Sequence, residues 1–88
     1  MRIATVEIYS DATNAAIIRH PDRKFPGVLV QGDTLRNLAC AASALSKSAA
    51  ELLTEDESLE AQDLAEHLAS LVEHYKSVLE KHQIPLPF

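Results

Sequence analysis

Among its 88 residues the chain has one cysteine, Cys40, and no tryptophan. A single thiol forms no intramolecular disulfide, so a disulfide-stapled scaffold is excluded and a reducing compartment fits. Glycine is equally scarce. Gly27 and Gly32 are the only two, and neither a GxGxxG nor a GxxxxGK[ST] phosphate loop occurs. No apolar run approaches the roughly 18 residues of a membrane span. Residues 1–7 carry no apolar h-region of a signal peptide. The expected location is the cytoplasm, without a membrane partner. Positive charge is short in the second half: residues 51–88 hold nine of the thirteen Asp/Glu but two of the eight Lys/Arg. With a net charge of −5, this balance argues against a nucleic-acid partner.

What is present is an ordinary globular mixture, 47% hydrophobic and 24% charged. A chain this short reads as one domain, residues 1–88. It buries only about 60–65% of its unfolded surface, which favours a homo-oligomer, a dimer or larger.

Residues 3–9 are β-branched and aromatic and predict a strand, with Val6 and Ile8 on one face and Glu7 and Tyr9 on the other. A polar loop leads to a second strand at 15–20, giving an antiparallel hairpin. Pro21 to Lys24 is a charged turn. Pro26-Gly27 marks another turn, and Val28-Leu29-Val30 a third strand over 28–31. Gly32 is expected to supply a positive φ. Asp33 or Thr34 is expected to cap a helix.

That helix should span 34–53, with a seam of Leu35, Leu38, Ala42, Leu45, Ala49 and Leu52. Leu38-Ala39-Cys40-Ala41-Ala42 is apolar all round, so burial on more than one side is expected. Extending the seam past Thr54 reaches mostly polar residues, which predicts a break there. Thr54-Glu55-Asp56-Glu57 is a capping box opening a second helix over 55–82. Its seam is Ala61, Leu64, Leu68, Leu71, Tyr75 and Val78, widened by Ala65, Val72 and Leu79. The tail 83–88, with Pro85 and Pro87, is extended and alternately apolar. It is expected to dock on its own domain or on a neighbouring subunit. The fold class that follows is α+β: a small three-stranded antiparallel sheet packed against an antiparallel two-helix hairpin.

Catalytic patterns are sparse. His67 and His74 share a helix face but lie roughly 10 Å apart along the axis, too far for one ion. Asp63 and His67 are correctly spaced but only two. Cys40 sits mid-helix, without the base or dipole that activates a thiol. No metal, cofactor or catalytic residue is therefore assigned. Glu7, Asp11, Asp22 and Asp33 could still meet as strand carboxylates, which keeps a small metal-dependent hydrolase or nuclease as an alternative. Arg23 and Lys24 form a basic turn beside Phe25. Phe25 and Gln31 have no evident structural task. These four and the terminal Phe88 are the interaction candidates, while Pro26, Gly27, Gly32, Asp33 and Thr34 form a structural motif.

The order hairpin, Pro26-Gly27, short strand, Gln31-Gly32-Asp33-Thr34-Leu35, helix resembles the HicB antitoxin family between Val6 and about Leu45. The tail Ile84-Pro85-Leu86-Pro87 is similar to that family's final strand. The resemblance implies a degenerate RNase-H-like domain that binds and blocks an RNA-cleaving toxin. This chain departs from it in having two helices, and no DNA-binding domain is expected in it. The full-length pattern also resembles a family of small bacterial proteins of unknown function. The expected role is a non-catalytic protein-interaction module of a bacterial cytoplasm, toxin-neutralising on the HicB resemblance. A self-assembling structural protein is a further alternative.

Overall fold

A computed structural model describes residues 1–88. It contains a three-stranded antiparallel sheet and two helices, an α+β fold. The chain divides into two compact units, residues 1–31 and 32–88.

The first unit is a meander of β1 (Glu7–Ser10), β2 (Ala16–Arg19) and β3 (Gly27–Leu29) in the order β1-β2-β3. Ile8 pairs with Ile18 and Ala16 with Leu29, placing apolar side chains on one face. Glu7 lies opposite Arg19 on the other. The register slips between Ile8 and Ser10, so Tyr9 occupies a bulge. β1 begins at Glu7, four residues later than the β-branched run suggests. Propensity alone does not make a strand where no partner strand supplies hydrogen bonds, and β2 ends at Arg19, opposite Glu7.

The second unit is a helical hairpin of α1 (Gly32–Ser48) and α2 (Glu55–Lys81). The break falls at Thr54, whose side chain accepts from the Glu57 backbone N–H at 3.2 Å while the Glu57 carboxylate accepts from the Thr54 N–H at 3.0 Å. Both arms of the capping box are made. α2 ends in a Schellman turn: Gln83 adopts φ 55°, its N–H donates to Glu80, and the Ile84 N–H donates to Leu79.

α1 starts two residues earlier and ends five residues earlier than the expected 34–53, and Gly32 and the helix seam differ from expectation as well. No glycine has a positive φ. Gly32 is the buried first residue of α1, and its lack of a side chain makes room for the Tyr75 ring. The helix seam is also rotated. The most buried apolar residues are Ala39 and Val72, each 8% exposed. Leu35, Ala42, Ser46 and Ala49 continue the α1 stripe, and Ala61, Ala65, Leu68, Tyr75 and Leu79 that of α2, all half-buried. On α1 the stripe past Leu35 is made of small side chains, Ala39, Ala42, Ser46 and Ala49, which face the larger Leu68, Val72, Tyr75 and Leu79 of α2, while four other leucines lie on a flank. Leu38, Leu45, Leu64 and Leu71 are 50%, 66%, 56% and 42% exposed. Leu52 lies beyond the end of α1 and is exposed.

Candidate interaction surfaces

In the sheet unit, Glu7, Arg19 and Tyr9 form one cluster. The Arg19 guanidinium bonds one Glu7 oxygen, and the Tyr9 hydroxyl donates to the other at 2.5 Å. The Tyr9 hydrogen bond, and then Arg19, hold the Glu7 carboxyl below its usual range, and the same contact raises Tyr9. Asp22 is occupied by Arg2 at 2.9 Å. All of these groups lie at the surface, where water screens an ion pair and leaves it little net stabilisation. Nowhere do three or more His, Cys, Asp or Glu side chains converge as a metal would need.

Four of the five interaction candidates lie in this unit. The Lys24 ammonium sits 5.3 Å from the centroid of the Phe25 ring, a cation–π pair on an exposed turn. Arg23 donates its N–H to the His20 carbonyl at 3.0 Å, closing that turn. Gln31, exposed, ends the unit. The geometry joins Lys24 to Phe25 and leaves Gln31 outside that pair. Of the structural motif, Gly27 opens β3 with open space around it. The Asp33 carboxylate accepts from the Thr34 N–H at 2.9 Å.

The hairpin unit has two unlike sides. On one, Arg36, Cys40 and Ser43 of α1 and Ala69, Glu73 and Lys76 of α2 line a groove of about 470 Å³, closed by Leu86 and Phe88 of the tail. The Arg36 guanidinium stands 5.3 Å from the Phe88 ring centroid. The tail thus docks on its own helix pair, steered there by the Schellman turn. A neighbouring hollow lies between Ser43, Ser46 and Lys47 and the Gln62–Glu66 region of α2. These contacts pair early α1 with late α2 and late α1 with early α2, so the helices are antiparallel.

The leucines mark the other side. At 3.6 residues per turn, Leu38 and Leu45 differ by only ~20° about the α1 axis, as do Leu64 and Leu71 about α2. In each helix they flank the buried stripe opposite the groove residues, so all four share one side of the hairpin. The neighbouring exposed residues of α1 are Thr34, Asn37, Ala41, Ala44 and Ser48, none of them charged. Sequence reasoning placed these leucines in the core, since their spacing fits a seam. The all-apolar run Leu38 to Ala42 was the available signal that α1 offers a second face.

His67 and His74 are exposed on α2. Cys40 is an exposed free thiol at the groove. No helix is long and apolar enough to cross a membrane.

A family model described as a family of unknown function, DUF6959, matches residues 1–88. No curated protein matches the chain, and no solved structure does. The chain belongs to that family of unknown function.

Proposed function

We propose that this member of DUF6959 is a non-catalytic protein-interaction module that binds through the leucine side of its helical hairpin. The observation that carries this reading is the displacement of Leu38, Leu45, Leu64 and Leu71 from the interhelical contact onto one side of the hairpin, whose α1 half carries no charge. Four half-exposed leucines gathered on one side are the kind of exposed apolar surface that marks a protein contact rather than scattered surface apolarity. Burying one leucine side chain is worth about 1.5–3 kcal/mol. Glu7, Asp22 and Asp33 each have a local partner, which fits a binding role better than metal-dependent hydrolysis.

The test is a photo-crosslinking residue at position 41, between Leu38 and Leu45, in otherwise unchanged full-length protein in its host. Adducts to a polypeptide at position 41, absent from a control at Asn14 in the exposed β1–β2 loop, are the expected result. No adduct at position 41 rejects the reading. A toxin-type partner is the finer version, supported by the HicB-like order of Pro26, Gly27, Gln31, Gly32, Asp33 and Thr34. A ribonuclease in the adduct would bear it out.

A further inference from the structure

The groove of the helical hairpin holds a cation that no carboxylate of the chain neutralises. Its lining carries three charged side chains, Arg36, Glu73 and Lys76. The Lys76 ammonium lies 3.5 Å from the Glu73 carboxylate one turn earlier on α2, so these two offset each other. The other ion pairs of the chain are Arg2–Asp22 and Arg19–Glu7, and Arg36 is in none of the three. What holds Arg36 is the Phe88 ring, whose centroid stands 5.3 Å from the guanidinium. A cation–π contact positions a guanidinium without consuming its fork of N–H donors. The rest of the lining is largely apolar. Ala39 and Val72, the most buried apolar residues, form its base, and Leu86 and Phe88 stand over it, 38% and 39% exposed.

We propose that this groove binds a small monocarboxylate with an apolar body. Its carboxylate sits on Arg36, and its hydrocarbon lies along Ala39, Val72 and Leu86. Charge selects the class. With Glu73 offsetting Lys76, the lining carries one uncompensated positive charge, a local reversal in a chain of net charge −5. One negative charge is therefore matched, whereas the second charge of a phosphate monoester would meet Glu73. Geometry selects the headgroup, because the guanidinium fork fits a carboxylate with two parallel hydrogen bonds. Size agrees as well: about 470 Å³ falls within the roughly 300–1,000 Å³ of small-molecule sites, which are likewise mostly apolar with few placed polar groups. The site lies on the side of the hairpin opposite the leucines and is independent of the interaction reading.

The experiment is an NMR titration of the isotope-labelled full chain with sodium octanoate below its micelle concentration. Octylammonium and octanol, matched in length, are the comparison probes. Octanoate should give saturable amide shifts at Ala39, Cys40, Ser43 and Val72, and octylammonium should bind at least about tenfold more weakly. Arg36→Gln should weaken octanoate about tenfold, the cost of losing a charged hydrogen-bond partner, and leave octanol unchanged. Ala69→Leu fills the groove without changing its charge and should weaken both. Arg36 and Ala69 are exposed, so both variants retain the fold, as circular dichroism would show. The probe series on the unchanged chain stands whether or not they do. Absence of saturable octanoate shifts overturns the proposal. So do shifts centred on Leu38 and Leu45 in place of the groove, or octylammonium binding as well as octanoate. Equal losses of octanoate and octanol in Arg36→Gln also overturn it, since they would trace to a displaced tail and not to the charge.

Discussion

Gly32 is the residue on which local preference and packing disagree. Helices favour alanine over glycine, and Gly32, the first residue of α1, does not use the positive φ that would require glycine. A Cβ there would nevertheless fall inside the Tyr75 ring, touching Cζ, Oη and Cε1. Overpacking of this kind costs typically 1–3 kcal/mol. Gly32→Ala should therefore lower the melting temperature by several degrees, despite its better helix propensity. Gly27→Ala, with open space around the site, should leave it within about a degree. Calorimetry of the two variants decides, and equal melting temperatures would show that Tyr75 does not constrain Gly32. In sequence, a glycine before Asp33-Thr34 reads as a turn residue. Its real constraint comes from Tyr75, 43 positions away, which no local pattern displays.

At the level of elements, what is legible depends on how local the cause is. The break at Thr54 was readable because a capping box lies within four residues and needs no tertiary partner. The order of three strands and two helices was readable from local patterns, but the start of β1 was set by its partner strand. The side of each helix that turns inward was not. Leucines and alanines both satisfy an apolar period, and the choice between them depends on how closely the partner helix approaches. Thr54→Ala removes the acceptor for the Glu57 N–H and should cost about 1 kcal/mol. The backbone and hydroxyl contacts of Thr54 hold the Glu57 carboxyl below its usual value of 4.5. A depressed carboxyl stabilises the fold above the unfolded value, and that contribution is lost as pH falls through the folded value. Glu57→Gln can still reach the Thr54 N–H but does not titrate. Between neutral and strongly acidic pH, wild type should lose more stability than Glu57→Gln, as urea denaturation at both pH values would show. Parallel losses in the two proteins would remove Glu57 from the pH response.

For the molecule as a whole, the homo-oligomer expected of so short a chain would, as a folded dimer, tie stability to concentration, because unfolding then releases two chains. An unfolding enthalpy of ~0.7 kcal/mol per residue over two 88-residue chains is on the order of 120 kcal/mol near 60 °C. Each tenfold dilution should then lower the melting temperature by about 4 °C, which is RT² ln 10 divided by that enthalpy. The shift separates two explanations of the exposed leucines. If a second copy covers them, wild-type melting follows concentration across two decades and Leu45→Glu abolishes the dependence. If cover comes from within the same chain, the melting temperature is the same at every dilution, and Leu45→Glu lowers it equally at all of them. The direction follows from mass action alone, so a flat wild-type profile would refute a dimeric folded state regardless of the enthalpy assumed.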